Sequence, residues 1–353
     1  MNKKSVAVLG ATGMVGQRFI QALVNHPYFE ISVLAASPKS AGKKYSESAK
    51  WYLEGGMPEE VKGMKVVSTE ARIEADIAFS CLPSESASEI ELRLAKQGAA
   101  VISTSSNFRY DDDVPVIIPE VNIEHVGLLL EGQRKRRGFE KGFIVKKPNC
   151  TTTGLVMTLK PLQDKFGIES VIMTSMQALS GAGYEGVPSM AIVDNVIPYI
   201  GGEEEKVEKE VLKLLGNGRK DAKMKVSCSC NRVGVTDGHL ESAFVKLGRK
   251  ASVGEVKRVM REFEGEVQKM KLPSAPIPPL IVMEELDRPQ PRMDRYAGEP
   301  ERAGGMAVAI GRVREDNVFE NGIRYSLLSH NTVRGAAGNA VLTGEYLFKK
   351  GMV

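Results

Sequence analysis

Cys150 is the residue whose type and setting point most directly to covalent chemistry. It follows a proline–asparagine pair and precedes three threonines, which are good helix N-cap residues, so a helix is expected to begin here. At a helix N-terminus the helix dipole and the free backbone N–H groups stabilise a thiolate. Most free cysteines are instead small buried core residues, an interpretation that suits Cys81, Cys228 and Cys230. For Cys150 the setting favours a nucleophile.

A thiolate nucleophile needs a general base, and the sequence contains four histidines. His239 follows a predicted strand, and the glycine before it permits a close approach, so it is the favoured base. His330, at the expected start of the last helix, is the alternative. His26 lies in a helix-ending turn and is expected at the surface, while His125 is expected in a polar loop. The predicted catalytic pair is therefore Cys150 with His239.

Two arginines have the surroundings of anion-binding residues. Arg109 ends the segment Ser105–Arg109, which is rich in hydrogen-bond donors, and Arg232 stands seven residues before His239. A planar guanidinium binds carboxylate or phosphate through two parallel hydrogen bonds. A structural salt bridge is the alternative for either arginine. A small anionic substrate explains these local arginines better than nucleic acid does.

Three glycines predict a dinucleotide-binding turn. Gly10, Gly13 and Gly16 lie between a predicted buried strand, Ser5–Leu9, and a predicted helix, Met14–Val24. Glycine permits the tight turn and lets phosphate oxygens reach backbone N–H groups at the helix N-terminus. The G-x-x-G-x-x-G spacing departs from G-x-G-x-x-G, so a simple tight turn is the alternative. A strand before and a helix after are nevertheless the context that nucleotide binding requires.

The segment after the second predicted strand, Ile31–Ala36, indicates which dinucleotide binds. An NAD site usually carries Asp or Glu about 20 residues beyond the glycines, where it holds the ribose 2′-hydroxyl. Here hydroxyls and ammonium groups follow the strand, with no carboxylate among them; the residues are Ser37, Lys39, Ser40, Lys43 and Lys44. Such groups suit a 2′-phosphate, so NADP is favoured over NAD. The alternative is that these lysines only line a solvated loop.

Alternating strands and helices predict the fold of the first part of the chain. Strand, glycine turn, helix and strand form a βαβ unit, and the predicted strands Ala75–Cys81 and Ala99–Ser103 continue the pattern. After Cys150, longer strand runs with fewer helical crossovers indicate an α+β domain. This second part includes a predicted helix at Gly254–Gln268.

The 353 residues are long enough for two domains. The predicted fold class is α/β, with a Rossmann-type doubly wound parallel sheet and a separate α+β domain. The first domain, for NADP binding, is expected to span 1–149 and to be completed by a C-terminal helix in 331–353. The second, for catalysis and dimerisation, is expected to span 150–330.

Composition and charge exclude several classes of protein. The 48 basic and 44 acidic residues leave a formal net charge of +4, and four cysteines are too few for a disulfide scaffold. Only Cys228 and Cys230 are close in sequence, and a C-x-C pair with no second Cys/His pair nearby is a poor zinc signature. No apolar run approaches the ~18 residues of a membrane span, and no signal sequence is apparent. A cytoplasmic protein without membrane span or metal is therefore expected.

A basic run, Arg134–Arg137 with the nearby Lys141, Lys146 and Lys147, raises the possibility of nucleic-acid binding. No aromatic platform accompanies the run. A solvated surface loop is therefore the favoured interpretation of this segment.

Several long motifs stand in order along the chain: GATGMVGQ, SCLPSESA, SSNFR, VIIPEVN, PNCTTTGL, MQALSGAGYEGVPSM, DNVIPYIGGEEEKVE, CNRVGVTDGHLES and HNTVRGAAGNAV. With these motifs the sequence resembles the aspartate-semialdehyde dehydrogenases, most closely their archaeal and fungal branch, over nearly its whole length. It departs from that branch at Gly234, where a proline is expected, and in the unusually basic segment 131–141. Neither departure falls on a matched catalytic position.

The resemblance implies NADPH-dependent reduction of 4-phospho-L-aspartate to L-aspartate 4-semialdehyde, in the biosynthesis of lysine, diaminopimelate, methionine, threonine and isoleucine. Cys150 would carry an acyl-thioester, Gln177 would orient the acyl group, and His239 would be the acid–base residue. A homodimer or homotetramer is expected, with no nucleic acid and no membrane as partner.

The resemblance also implies binding roles. Arg232 would bind the substrate carboxylate and Glu203 its amine, while Arg109 and Lys206 would bind phosphate. Contacts to NADP are implied for Thr12, Gly13, Met14, Val15, Ser37, Ser180, Gly181 and Asn331.

Two alternatives stay open on the sequence. The first is another thiol-dependent reductase. Malonyl-CoA reductase uses the same scaffold and thiol chemistry, and N-acetyl-glutamyl-phosphate reductase follows the same type of mechanism. A CoA reductase would not need the amine-binding Glu203 or a phosphate pocket. The second alternative is a non-enzymatic NADP sensor with a relict site. The intact set of Cys150, Gln177, Arg232 and His239 disfavours it.

Overall fold

The computed structural model describes residues 2–353 and divides them into two compact units. Unit 1 comprises the residues up to Ile117, Ile123–Pro148 and Ala336–Val353. Unit 2 comprises Ile118–Asn122 and Asn149–Gly335. The predicted boundary follows residue 149, whereas this division follows Pro148. It also assigns the short segment 118–122 and residues 331–335 to unit 2.

The strands and helices are numbered in chain order. The strands are β1 (Lys4–Leu9), β2 (Phe29–Ala36), β3 (Val66–Ser68), β4 (Ile77–Ser80), β5 (Ala100–Ser103), β6 (Phe143–Lys146), β7 (Ile168–Gln177), β8 (Lys225–Arg232), β9 (His239–Leu247), β10 (Leu280–Val282), β11 (Val308–Glu315) and β12 (Gly322–Ser329). The helices are α1 (Met14–Leu23), α2 (Tyr45–Ser48), α3 (Glu59–Lys62), α4 (Ser84–Lys96), α5 (Pro119–Asn122), α6 (Glu124–Arg137), α7 (Cys150–Phe166), α8 (Ser189–Ile192), α9 (Glu203–Leu214), α10 (Val253–Arg261), α11 (Glu266–Lys269), α12 (Pro291–Asp294) and α13 (Gly338–Lys349).

Unit 1 is built on a parallel sheet with the strand order β3-β2-β1-β4-β5-β6. This is the strand order of a Rossmann fold, so the predicted doubly wound α/β class is confirmed. The strands are short apolar runs, and β1 is fully buried from Val6 to Leu9, as expected where helices cover both faces of a parallel sheet. The carboxyl ends of the strands lie along one edge, where ligands of such folds bind.

Helix α13 anchors the start of β2 within unit 1. His26 and Glu345 are both fully buried, with His26 Nε2 2.9 Å from Glu345 Oε1. The Tyr28 N–H donates to His26 Nδ1 (3.2 Å), so Nε2 carries the proton that Glu345 accepts. The expectation that His26 lies at the surface is therefore wrong, because a carboxylate about 320 residues away in sequence satisfies its ring.

Unit 2 is built on a mixed sheet of order β10-β11-β12-β9-β7-β8. The pairs β10–β11 and β7–β8 are parallel, and the pairs between them are antiparallel. Burial alternates residue by residue along β9, so one face of the sheet is buried and the other is half-exposed. Helix α7 packs on the buried face, whereas Ile172 on the other face is 46% exposed. This is the α+β domain that the sequence predicts.

Two expectations about local structure are wrong. The predicted helix Gly254–Gln268 is the two helices α10 and α11, because Gly265 is extended where the second helix begins. A Cβ at Gly265 would lie 2.7 Å from the Cα of Glu120, so this glycine is required by a close approach. The basic run Arg134–Arg137 is not a loop but the last turn of α6, where cations complement the helix dipole.

Two residues that the sequence assigns to polar loops are buried. Lys146 is the last residue of β6 and is fully buried. His125 lies in the first turn of α6 and is 4% exposed. Neither position is visible as buried in the sequence, because Lys146 belongs to a run of basic residues and His125 directly follows Glu124.

Candidate active site

Cys150 begins α7, and its Sγ lies 3.2 Å from Nε2 of His239. The helix cap differs from expectation: the side-chain oxygen of Asn149 accepts hydrogen bonds from the N–H groups of Thr151 (2.8 Å) and Thr152 (3.1 Å). The threonines are therefore not the cap but the first turn itself. Cys150 is partly exposed, so its sulfur combines helix-terminal placement with access.

His239 is the first residue of β9 and is fully buried. Its Nδ1 lies 3.1 Å from the backbone N–H of Ala178, which donates to it. The proton of the neutral imidazole is therefore on Nε2, the nitrogen that faces the Cys150 sulfur. His330, the alternative base, lies with its ring 4.8 Å from that of Tyr296, and Nδ1 is 3.5 Å from Thr332 Oγ1. The geometry favours His239 as the partner of Cys150.

Gln177 and Arg232 are paired in register as the last residues of β7 and β8. Gln177 Nε2 donates to Ser175 Oγ (3.1 Å), and Arg232 Nη1 donates to the Ala178 carbonyl (2.7 Å). Both side chains are almost fully buried. The arginine is thus held at the same backbone segment that orients His239.

Gly181 allows this arginine and the histidine to come close. A Cβ at Gly181 would lie 2.9 Å from Arg232 Nη1 and 3.4 Å from His239 Cε1. Any side chain here would displace one of the two groups. The structure therefore brings together Gly181, Arg232 and His239 as the sequence motifs imply.

Glu203 begins α9 and reaches the turn that carries Cys150. Its Oε1 accepts from Asn149 Nδ2 (2.9 Å), and Thr151 Oγ1 lies 3.4 Å away. Lys206, one turn along α9, places its Nζ near Gly202, where a Cβ would be 3.9 Å from it. A carboxylate and an ammonium group thus stand at the start of the same helix.

Ser180 and Asn331 form a further contact in unit 2. Asn331 Nδ2 donates to Ser180 Oγ (2.8 Å), and its Oδ1 accepts from the Gly238 N–H (2.9 Å). Gly238 has a φ of +97°, a conformation that favours glycine. Asn331 therefore holds the residue that precedes His239.

The glycine turn of unit 1 has the form that a pyrophosphate site needs. A Cβ at Gly16 would lie 2.2 Å from the Gly10 carbonyl oxygen, and Gly10 has a φ of +82°. Helix α1 begins at Met14 and has no side-chain cap, so its first N–H groups are available to an anion. Thr12 and Val15 are partly exposed at the same turn. The residues present therefore fit a dinucleotide.

Ser37 and Ser40 follow β2 at the same edge of the unit 1 sheet. Ser37 is exposed, Ser40 is partly exposed, and the neighbouring lysines Lys39, Lys43 and Lys44 are exposed. Hydroxyl and ammonium groups thus surround the end of the strand that lies beside β1. This arrangement fits a 2′-phosphate.

Arg109 lies in the loop after β5, at the carboxyl edge of the unit 1 sheet. Its Nη2 donates to the Thr104 carbonyl (2.6 Å), and the residue is 5% exposed. It is held by its own loop.

Cysteines other than Cys150 have the properties of core residues. Burial raises the pKa of Cys81 to about 12 and that of Cys230 to about 12. Burial likewise raises the pKa of Cys228. These thiols remain protonated near neutral pH, in contrast to the setting of Cys150.

Sequence reasoning missed two residues of the site. Asn149 caps α7, its N–H donates to Glu210 Oε2 (2.5 Å), and its amide meets Glu203. The signal was present, because Asn is among the best N-cap residues and directly precedes Cys150. Glu241 is fully buried on the face of β9 that also carries His239, and the two-residue spacing along a strand would have placed it there.

A dinucleotide-binding sheet in one unit and a thiol–imidazole pair at a helix N-terminus in the other define a thiol-dependent dehydrogenase. Residues 5–128 match the model of the semialdehyde dehydrogenase NAD binding domain, and residues 159–334 match that of the semialdehyde dehydrogenase dimerisation domain. The chain belongs to the semialdehyde dehydrogenase family.

Individual relatives agree with this assignment. The aspartate-semialdehyde dehydrogenase of Methanothermobacter thermautotrophicus is 51% identical over 349 residues, covering 97% of this chain and 98% of that protein. The malonyl CoA reductase (NADP) of Metallosphaera sedula is 41% identical over 355 residues, covering 98% and 97%. The crystal structure of Candida albicans aspartate semialdehyde dehydrogenase with NADP has a TM-score of 0.89 at 40% identity, covering 100% of both chains.

Metal and membrane features were also sought within residues 2–353. No group of three or more His, Cys, Asp or Glu in this range is arranged to hold a metal ion. In the same range, no helix combines the length and the apolar character needed to cross a bilayer.

Proposed function

We propose that this chain is an aspartate-semialdehyde dehydrogenase, which reduces 4-phospho-L-aspartate to L-aspartate 4-semialdehyde with NADPH and releases phosphate. The observation that carries the proposal is the 3.2 Å contact between Cys150 Sγ and His239 Nε2 at the N-terminus of α7. The high identity to aspartate-semialdehyde dehydrogenases supports it. The product serves biosynthesis of lysine, diaminopimelate, methionine, threonine and isoleucine.

The first step is attack of the Cys150 thiolate on the acyl carbon of the substrate. A C–S bond forms, the C–O bond to phosphate breaks, and phosphate leaves with the electron pair. Gln177 and backbone N–H groups stabilise the oxyanion, at about 3 kcal/mol for each donor. The product of this step is a thioester on Cys150.

The second step uses the hydrogen-bonding capacity of His239. NADPH, when bound, would supply the hydride that reduces the thioester carbon. Because Nδ1 accepts from the Ala178 N–H, the neutral imidazole carries its proton on Nε2, and this N–H stabilises the oxyanion that hydride addition creates. As the oxyanion collapses to the aldehyde, the C–S bond breaks and its electron pair returns to the Cys150 sulfur as a thiolate. The ring keeps its proton throughout, so in this tautomer His239 acts as a hydrogen-bond donor.

The roles of the substrate- and cofactor-binding groups follow the resemblance to the aspartate-semialdehyde dehydrogenases. Arg232 binds the substrate carboxylate and Glu203 its amine, while Arg109 and Lys206 bind the phosphate. The glycine turn with Thr12, Met14 and Val15 binds the pyrophosphate of NADP; Ser37, Ser40, Ser180, Gly181 and Asn331 complete the cofactor contacts.

The half-exposed face of the unit 2 sheet is the proposed dimer surface, in keeping with the family's dimerisation-domain model. Ile172, nearly half exposed on β7, belongs to this face. A tetramer built from two such dimers, in the reducing cytoplasm that a catalytic thiol requires, completes the proposal.

The test is reduction of NADP by aspartate semialdehyde in the presence and absence of inorganic phosphate. Strict phosphate dependence, without turnover of malonyl-CoA, is the expected result. Malonyl-CoA reductase is the second candidate, because one such enzyme is 41% identical over nearly the whole chain. Turnover of malonyl-CoA together with no phosphate dependence would replace the first proposal by the second.

A further inference from the structure

A buried ionic cluster lies at the carboxyl edge of the unit 1 sheet, directly below the loop that carries Arg109. Its centre is Lys146, the last residue of β6, paired with Glu91 of α4; both side chains are fully buried. The pair joins residues 55 positions apart in the sequence. None of the catalytic roles assigned above uses it.

The ammonium group of Lys146 has three polar partners. Besides Glu91 Oε2, its Nζ donates to Ser103 Oγ (2.9 Å) and to Ser105 Oγ (2.8 Å). Ser103 ends β5, and Ser105 is the first residue of the segment Ser105–Arg109. The cation therefore ties β6 to the start of that segment.

The carboxylate of Glu91 completes the cluster from the other side. Its Oε1 accepts from Ser80 Oγ (2.8 Å), Ser103 Oγ (2.5 Å) and Ser105 Oγ (3.2 Å). The carboxyl ends of β4, β5 and β6 and the first residue of the loop thus meet in one hydrogen-bonded group. The ammonium group has three N–H donors, and each has an acceptor in this cluster, as a buried cation requires.

The aromatic ring of the same loop rests on two cations. Lys146 Nζ lies 5.5 Å from the Phe108 ring centroid, and the Arg137 guanidinium lies 4.8 Å from it. The backbone of Phe108 has a φ of +63°, a left-handed conformation that residues other than glycine rarely adopt, so the surroundings must enforce it. The residue that directly precedes Arg109 is therefore fixed by this contact.

Stability alone does not explain such a cluster. Burying two charges costs several kcal/mol for each ion, and apolar residues of the same size often replace a buried pair without loss of stability. Burial lowers the pKa of Lys146 to about 8, while Glu91 acts to raise it. A pair that is costly to bury, and whose hydroxyl partners come from two strand ends and from the first residue of the loop, fixes the position of that loop relative to the sheet.

We propose that Lys146 and Glu91 are positioning residues that hold the loop Ser105–Arg109, and with it the Arg109 guanidinium, in the geometry that binds the phosphate group. This inference rests on the phosphate role of Arg109 in the proposed function. Because the pair is fully buried, it acts through the loop and not by touching the substrate.

The experiment compares Glu91→Gln, Lys146→Met and the double variant in the full chain, with inorganic phosphate as the varied substrate. Each single change is expected to raise the KM for phosphate about tenfold, since misplacing a binding group by a fraction of an ångström weakens its contact. The KM values for aspartate semialdehyde and NADP should change less than about twofold. The double variant should regain thermal stability, because no charge stays buried alone, yet keep the raised KM for phosphate.

Glu345→Gln is the matched control, since Glu345 is a fully buried carboxylate of the same unit that pairs with His26 and not with this loop. It should lower the Tm without changing the KM for phosphate. A normal KM for phosphate in the double variant, or an equal rise in the control, would overturn the inference. Failure of the proposed function is distinct, because the unsubstituted chain would then show no phosphate dependence at all.

Discussion

Glu91 in unit 1 and Glu241 in unit 2 are both fully buried carboxyl groups, yet their surroundings are opposite. Glu91 faces an ammonium group and three serine hydroxyls. Across residues 2–353, no group donates a hydrogen bond to either Glu241 oxygen, and Glu203 is its charged neighbour. Burial, reinforced by Glu203, raises the pKa of Glu241 well above its usual value.

The contrast shows two ways to accommodate a buried acid. Unit 1 keeps the charge of Glu91 and surrounds it with donors, which fixes the position of several elements at once. Unit 2 buries Glu241 without a hydrogen-bond donor among the described residues, and its raised pKa favours the protonated, uncharged form. The hydrogen-bonded support is thus found at the Arg109 loop, whereas the buried acid of unit 2 has a like-charged neighbour, Glu203.

The largest expected effect is at the thiol itself. Cys150→Ala should lower turnover by at least about 10³-fold, because it removes the proposed nucleophile. Binding of NADP, measured by calorimetry, should persist, because the glycine turn is untouched. Turnover above about 1% of the unsubstituted rate would contradict a thioester mechanism.

Removing the cation from the saturated cluster should have the next largest effect. Lys146→Met is expected to lower the free energy of unfolding by about 3–5 kcal/mol, because Glu91 is then buried without its partner. Urea unfolding near pH 7 measures this loss. The double variant Glu91→Gln/Lys146→Met should recover most of this loss, because no charge then stays buried without a partner. An equal loss in the double variant would show that packing, and not charge, is responsible.

The protonated acid predicts a dependence on pH. As the pH rises through 4.5, the unfolded chain releases the Glu241 proton that the folded protein retains, so this residue makes stability fall. The slope is at most about 1.4 kcal/mol per pH unit. Glu241→Gln should remove this contribution. The free energy of unfolding of the variant should therefore match that of the unsubstituted chain near pH 4 and exceed it near pH 8. Equal pH profiles in urea unfolding would mean that Glu241 is ionised.

The smallest expected effect is at the cap of α7. Asn149→Ala should cost about 1 kcal/mol of stability, the usual value of an N-cap side chain. It also removes a donor to Glu203, so alkylation of Cys150 by iodoacetamide should slow as the turn loosens. Asn149→Asp is the control that keeps the cap. An unchanged alkylation rate in the alanine variant would show that the Asn149 cap does not influence the reactivity of the Cys150 thiol.

Much of the fold was accessible from local pattern. The apolar run before Gly10 and the helix after it predict the first βαβ unit. The long strand runs after Cys150 predict the α+β domain of unit 2. A helix following Cys150 was also readable, but the cap that starts it is Asn149 and not the threonines that the sequence suggested. Strand β12 was not predicted, although its Arg324 and Ser326 alternate with buried apolar residues in the period-2 pattern of a half-exposed strand.

Contacts between distant residues could not be read in this way. Lys146 looked like part of a solvated basic run, because its partner Glu91 lies 55 positions earlier. His26 looked exposed for the same reason, since Glu345 lies near the other end of the chain. Local composition reports the polarity of a side chain, whereas its burial depends on which remote partner the fold brings to it.

Gly335 restricts which sequence changes this protein can accept in evolution. A Cβ at this position would lie 2.7 Å from the Cβ and 3.0 Å from the Cα of Cys150, inside the closest approach that carbon atoms allow. Every other amino acid carries that atom, so no codon change away from glycine is neutral here. The position directly behind the nucleophile is thus closed to genetic drift, although no reacting group belongs to it.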